Sequence, residues 1–575
     1  MNIKLIITSP KLTTYKFVDD DNNEIPVTNL DIIKEKLLHE DEFDIDINLD
    51  LEKNSIIKMT HSPVRACNHI SGILVLMGNK TYGSVNNKKF YRCIPDNKYF
   101  PNFLIPYTMK NKFNKNIQNL YITFKFNHWN DKHPVGILNQ VIGETADLSA
   151  FYEYQLYCKS LNASIQNFHR ETSKKLKHKT DREFIKDILE KYPVIKDKTT
   201  EDNIFTIDAK TCFDYDDAIQ YIEHNDNCKI IRIYITNVSI WMDVLGLWNA
   251  FSDRISTIYL PDRKRPMLPT CLSECLCSLV AGHVRFAFTY EFTFDNDGNI
   301  INMDYYNSAI KVFKNFEYEE KDLLENKNYL NCMNLLKIVI KKHKFINYIK
   351  NSYDVVSFLM ILMNYHVSKE LIQSKNGIYR TAFIEKKITM PDKLNSEIKN
   401  FITMWNNQSG EYILFDEEKK KGNDWLHLDS YCHVTSPIRR LVDMLNMIIF
   451  QNNKKMLTFT NESNIFVERW LDKLDYINKC MKNIRKIQTE CSLLSLFSKK
   501  NGNNSNNIYN GVIFNRIKRD DGIYIYNVYL NTLKMLTRIK LFDYVENYEE
   551  RKFELYYFKD ENTFRQKIKL QLVDN

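Results

Sequence analysis

Four aspartates stand within one ten-residue stretch, Asp208-Ala209-Lys210-Thr211-Cys212-Phe213-Asp214-Tyr215-Asp216-Asp217. Carboxylates this close resist ionising together at neutral pH, because each charge raises the work of making the next. They require a counter-charge. An oxygen-rich cluster of this kind suits hard divalent cations, Mg²⁺ or Mn²⁺, and those ions suit phosphate chemistry. A calcium loop fits less well, since the aspartates occupy relative positions 1, 7, 9 and 10, with no glycine and no glutamate at position 12. On these residues alone, a solvated acidic turn stays open.

A second chemically loaded stretch lies far downstream, Tyr431-Cys432-His433-Val434-Thr435-Ser436-Pro437-Ile438-Arg439-Arg440. Ser436-Pro437 predicts a helix start, which places Arg439 and Arg440 in the first turn. A helix N-terminus beside planar guanidinium groups holds phosphate oxygens well. A pair of solvated surface arginines is the plainer alternative.

The apolar run Ile204-Phe205-Thr206-Ile207 predicts a buried strand that delivers the first aspartate, and Ile230 to Ile235 predicts a central strand after the last. Proline-bounded loops follow at Leu260-Pro261 and Pro266-Met267-Leu268-Pro269. Helices are expected over Val355 to Gln373 and Phe466 to Phe497, with an Asn-rich linker over 501–507. Upstream, short strands around Ile73 to Met77, Phe90 to Ile94, Phe103 to Tyr107, Leu120 to Phe124 and Gly136 to Leu138 predict small β-barrels of the oligonucleotide-binding kind. Helical spacing then runs from Asp147 to Tyr157 and from Asp181 to Leu189. The segment after Gly511 alternates as a last small barrel rich in lysine and arginine.

With 575 residues the chain has room for two to four domains. Its 80 basic against 72 acidic residues leave a charge of +8, compatible with nucleic acid but far from a polybasic tail. Twelve cysteines without a repeated CxxC pair predict reduced thiols, hence an intracellular, cytoplasmic setting. Cys271, Cys275 and Cys277 with His283 lack the matched pairs of a zinc site. Nothing at the N-terminus reads as a signal peptide, and no uninterrupted apolar run approaches a membrane span.

Together these segments resemble the exoribonucleases of the ribonuclease II (RNB) family, which includes ribonuclease R and the exosome catalytic subunit. The resemblance is carried by Thr206-Ile207-Asp208 with Asp214 to Ile219, Tyr259-Leu260-Pro261 with Pro266 to Pro269, Leu272-Ser273 with Cys277-Ser278-Leu279, and His433 with Thr435 to Arg440. It implies a multi-domain α+β fold, in which a mixed α/β catalytic domain is flanked by small OB-type β-barrels, cold-shock-like in front and S1-like behind. The corresponding boundaries are an N-terminal extension at 1–55, cold-shock-like barrels at 56–112 and 113–145, a helical linker at 146–200, the catalytic domain at 201–500 and the S1-like barrel at 508–575.

The resemblance further implies a Mg²⁺-dependent, processive 3′-to-5′ exoribonuclease that degrades single-stranded RNA to nucleoside 5′-monophosphates, with Mn²⁺ able to replace Mg²⁺. By motif, Asp208, Asp214, Asp216 and Asp217 hold the metal, Asp216 is the most rate-critical carboxylate, and Arg439 binds the scissile phosphate. Tyr259 and Tyr318 stack on bases, while Arg440 and Glu490 also face RNA. A monomer without a membrane role is expected, a helicase or other RNA-decay partner being left open. Two positions depart from the family pattern: Asn237 replaces an aspartate and Leu441 an aromatic residue. A catalytically silent RNA-binding regulator on the same scaffold is the alternative, though such relatives lose the aspartates kept here.

Overall fold

The structure, a computed structural model, describes residues 2–10, 12–27, 30–48, 53–109, 117–225, 228–346, 348–384, 388–407, 410–500, 508–519, 521–560 and 566–573. The expected linker at 501–507 lies outside the described residues.

The chain begins in a sheet. Strand β1 (Asn2–Ile7) alternates and buries Ile3, Leu5 and Ile7 on one face. With β2 (Tyr15–Val18), β3 (Glu24–Ile25), β4 (Glu42–Asn48) and β5 (Lys53–His61) it forms the order β3-β2-β1-β4-β5 over a core that includes Phe17 and Phe43. The extension expected at 1–55 is therefore a folded unit. Its alternation was present in the first residues, whose apolar run is short because every second side chain faces outward.

Strands β6 (Ile70–Leu74), β7 (Ser84–Val85), β8 (Lys88–Pro95), β9 (Phe103–Tyr107), β10 (Leu120–His128) and β11 (Val135–Glu144) make one second unit. Because β6 pairs with both β10 and β8, the ring β6-β10-β11-β9-β8 closes into a barrel. A Cβ on Gly72 would lie 2.6 Å from Cys93 Sγ, so the closure requires glycine there. The boundary expected between 112 and 113 cuts through this barrel, since Leu104 in β9 pairs with Val135 in β11 across it. The two front units run over 2–61 and 70–144 instead.

Helices Leu148–Cys158, Gln166–Leu176 and Asp181–Lys191 lead to the central domain, the last begun by a capping box of Thr180 and Glu183. The central sheet contains β12 (Lys196–Lys198), β13 (Phe205–Asp208), β14 (Asp217–Asn225) and β15 (Cys228–Thr236). Two separate short strands, β16 (Ile258–Tyr259) and β17 (Lys264–Arg265), form a hairpin. With β18 (Val284–Phe294), β19 (Ile300–Lys311) and β20 (Lys314–Glu317), the sheet has the order β12-β19-β18-β15-β14-β13-β20. The isoleucine-rich β15 lies at its middle, as its composition predicts.

The helix Ser352–Gln373 starts earlier than Val355 because Asn351 and Asp354 cap it reciprocally. Contrary to the expectation that no run approaches a membrane span, this helix is long and apolar enough for one among the described residues. Its Val355, Phe358, Leu359, Leu362 and Met363 are, however, buried in the domain core. The single helix expected over 466–497 is two, Asn461–Leu471 and Leu474–Lys500. Strands β21 (Ile378–Thr381) and β22 (Glu411–Leu414) pair beside them. At the C-terminal end β23 (Ile508–Lys518), β24 (Tyr524–Leu530), β25 (Met535–Leu541), β26 (Glu550–Lys559) and β27 (Gln566–Leu572) form the order β25-β24-β23-β26-β27. The architecture is α+β, a mixed central domain flanked by small barrel-type sheets.

Candidate active site

Strand β13 ends on Asp208, and its parallel neighbour β20 ends opposite it on Glu317. The next residue, Tyr318, donates its backbone N–H to the Asp208 carbonyl at 3.0 Å. After Asp208 the chain loops out and returns as β14, which begins with Asp217. Ser278 holds this loop in shape. Its hydroxyl donates to the Phe213 carbonyl and accepts the Tyr215 N–H, both at 2.9 Å, on either side of Asp214. Leu279 N–H bonds the Tyr215 carbonyl, and Thr236 N–H bonds that of Asp216.

The four aspartates do not share one environment. Asp216 is 3% exposed, and its oxygens accept from Ile438 N–H at 2.9 Å and Arg439 Nε at 3.0 Å. Asp214 is buried too, with Lys264 Nζ 2.9 Å from its Oδ1. Asp208 Oδ2, by contrast, is sealed from solvent and accepts no hydrogen bond. Burial pushes Asp208 up to about 7, with the Asp216 charge adding and a Thr206 hydrogen bond and Arg439 opposing. Burial also lifts Asp217 to about 7, helped by the Asp208 charge and countered by Arg439. For Asp216 burial again raises the value, to about 7, against Arg439 and the Ile438 amide. Arg439 itself stays protonated: burial works against its charge, but Asp216 and Tyr259 outweigh it. A guanidinium in contact favours the ionised form of Asp216, whereas Asp208 and Asp217 feel Arg439 through its charge alone.

The expected set of four metal ligands is therefore not assembled. Among the described residues no group of three or more His, Cys, Asp and Glu side chains is gathered for a metal ion. Asp214 and Asp216 face protein cations because Lys264 and Arg439 reach them first. Asp208 and Asp217 fit a divalent ion of the Mg²⁺ type, which is held by one or two carboxylates and completes its shell with water and phosphate oxygens. The unfilled Asp208 Oδ2 is an oxygen such an ion can use.

The arginine segment departs from its predicted form. The helix begins at Leu441, so Arg439 and Arg440 precede it, and Arg440 has extended backbone in the capping position. Arg440 is largely engaged within the protein: it ion-pairs with Asp443 at 2.9 Å, and the same carboxylate accepts the Ser436 N–H. Arg439 remains 44% exposed at its side chain, with Nη2 donating to Ser436 Oγ. Tyr259, 43% exposed, borders the cluster; burial raises its hydroxyl, as do Asp214 and Asp216, against Arg439. Tyr318 has its hydroxyl raised by burial and by Asp217 and Asp208. Glu490 is raised by burial, and the charges that act on it are Lys486, Lys159 and Asp96, which places it toward the front barrel and the helical linker. It does not join the carboxylates.

Several contributors went unread in the sequence. Tyr353 stacks flat on Tyr318, with ring centroids 3.8 Å apart and planes within 9°. Glu319 ties the two segments, since its carboxylate accepts both Ser352 N–H and Ser352 OH at 2.7 Å. Arg380, Arg440, Arg439 and Arg485 surround His433, and burial followed by these cations pushes its pKa well below the usual range. Of these, only the Arg440 pairing with Asp443 carried a local signal, the three-residue spacing on a helix start. Asn237 replaces a charged family position with a neutral network, donating to Asn307 and Gln451 and accepting from Ser239.

The family model for the RNB domain matches residues 196–347, the stretch that contains all four aspartates, Tyr259, Lys264 and Tyr318. The chain carries an RNB domain. Over 369 residues, 51% of the chain and 51% of the relative, it is 26% identical to ribonuclease R of Mycoplasmopsis pulmonis. The chain spans about half the length of such curated relatives. In fold it is similar to Mycoplasma genitalium RNase R in complex with ribose methylated single-stranded RNA. The TM-score is 0.67 at 17% identity, covering 99% of this chain and 100% of that one. It is also similar to yeast Ssd1, a pseudonuclease, with a TM-score of 0.62 at 12% identity over 94% of this chain and 78% of the other. The RNB domain thus sits in a scaffold shared by a ribonuclease and by a silent relative.

Proposed function

We propose that the chain is a divalent-metal-dependent exoribonuclease that takes single-stranded RNA from its 3′ end and releases nucleoside 5′-monophosphates processively. The reading is carried by one observation: a half-buried carboxylate pair, Asp208 and Asp217, with one sealed and unfilled oxygen on Asp208 and the charge of Arg439 acting on both. The RNB match, the curated ribonucleases R and a fold shared with an RNA-bound RNase R support it.

Asp208 and Asp217 would hold Mg²⁺, or Mn²⁺ in its place. Bound there, such an ion would supply activation of a water and neutralisation of charge on the leaving oxygen. Arg439, aimed by Asp216 and Ser436, keeps an exposed edge for phosphate oxygens and meets their charge as it builds in the transition state. Tyr259 and Tyr318 offer ring faces to the terminal bases, a sequence-tolerant grip because every base has a π-face. The 2′-OH is the feature by which RNA is told from DNA. Free cysteines suit the reducing interior of a cell, where the chain would act as a monomer.

The test uses 5′-labelled single-stranded RNA with Mg²⁺, for the parent and for Asp216→Asn, which removes the negative partner of Arg439. Metal-dependent release of mononucleotides that collapses in the variant supports the proposal; equal rates would sink it. The likeness to Ssd1 favours a second reading, RNA binding without cleavage, and RNA retained intact with Mg²⁺ present would select that one.

A further inference from the structure

Lys264 stands in β17, directly opposite Tyr259 of β16. Its neighbour Arg265 turns toward Asp262 and Glu153. Lys264 turns the other way. Its ammonium lies 2.9 Å from Asp214 Oδ1 and 2.8 Å from Glu274 Oε1, carboxylates supplied by the acidic loop and by the short π-helix Cys271–Leu276. The setting is not that of a surface ion pair, which solvent would screen. The Asp214 side chain is only 7% exposed and that of Lys264 25%.

A compact point charge seated between two carboxylate oxygens does the electrostatic work of a bridging cation. Charge balance around the site follows the same division. Asp214 has Lys264 and Asp216 has Arg439, which leaves Asp208 and Asp217, whose joint charge is that of one divalent ion. We infer that Lys264 takes the place of a second divalent cation beside Asp214, so that the site binds a single metal ion, on Asp208 and Asp217. This rests on the metal-dependent reading of the site. Unlike a metal, the ammonium cannot exchange with solvent or donate a coordinated water, so its part is fixed neutralisation of the loop that Tyr259 borders.

The experiment titrates Mn²⁺ alone into the full chain and counts bound ions by electron paramagnetic resonance of the free ion, with circular dichroism confirming the fold. One ion is expected for the parent and two for Lys264→Met, the second held by the vacated Asp214 and Glu274. Asp214→Asn covers the case in which Lys264→Met does not fold: it should still bind one ion, with affinity within about threefold of the parent, under ~1 kcal/mol. Two ions in the parent, one in a folded Lys264→Met, or loss of the ion in Asp214→Asn would each overturn the inference while leaving metal dependence standing. No bound ion in the parent would remove the metal-dependent reading as well.

Discussion

Two aspartate sites in the same domain make an instructive pair. Asp243 receives Lys191 Nζ at 2.8 Å, Tyr192 OH at 2.6 Å, Trp248 Nε1 at 3.1 Å, and Thr460 through its N–H at 2.9 Å and its hydroxyl at 2.6 Å. Burial acts to raise its pKa, yet Lys191, Thr460 and Tyr192 together bring it below the usual carboxylate value. Asp208 and Asp217 are half-buried with fewer partners, Thr206 and the charge of Arg439 for the first and Arg439 for the second, and rise to about 7. One site is satisfied and holds helices together. The other leaves Asp208 Oδ2 without a hydrogen bond, the contrast expected if it is the binding position proposed above.

The sharpest test of that contrast is Asp208→Asn against Asp243→Ala. Asp208→Asn should remove nearly all RNA cleavage, more than ~10³-fold, by analogy with losing a group that acts only in the transition state. Its melting temperature should hold or rise, because a repelling charge is gone. Asp243→Ala should keep activity per folded molecule but lose several kcal/mol in denaturant titration, at about 1–3 kcal/mol for each buried donor stranded.

Next in size, Arg439→Ala should cost ~10²–10³ in the rate of the chemical step, the scale for an electrostatic stabiliser. Single-turnover kinetics separates that loss from weaker RNA binding. A smaller effect concerns pH. Asp208 and Asp217 are raised in the folded chain, so the folded state binds more protons than the unfolded one between roughly pH 4 and 7. Without metal, their contribution to stability is therefore fully present below about pH 4 and is lost as pH rises through about 7. Added Mg²⁺ should raise the melting temperature at pH 8 and do little at pH 5; equal gains at both would break the contrast with Asp243. Smallest is Tyr353→Ala, which should weaken RNA binding by about 1 kcal/mol, the worth of the aromatic pair that braces Tyr318, with Tyr353→Phe restoring it. Fluorescence of a 2-aminopurine base near the 3′ end reports it.

What the sequence made legible was local. The strand ending at Asp208 followed from Ile204 to Ile207, and the long helix from its spacing near Val355. Pairings between distant segments were hidden, because nothing near Lys264 points to Asp214 and nothing near Tyr353 points to Tyr318. The front barrels were misdivided for the same reason: β9 and β11 meet only in space. The pairing of Arg440 with Asp443 went unread because the reading stopped at the dipeptide, three residues short of its partner.

The bond from Tyr318 N–H to the Asp208 carbonyl has a mechanical consequence. On the proposed reading, grip and blade would be mounted on adjacent rungs of one ladder, and backbone register would set the spacing between their Cα atoms. Inserting a residue between Phe316 and Tyr318 would shift the aromatic ring relative to the carboxylate by a strand step, about 3.3 Å, and turn it to the other face, which should separate the proposed hold from the proposed chemistry.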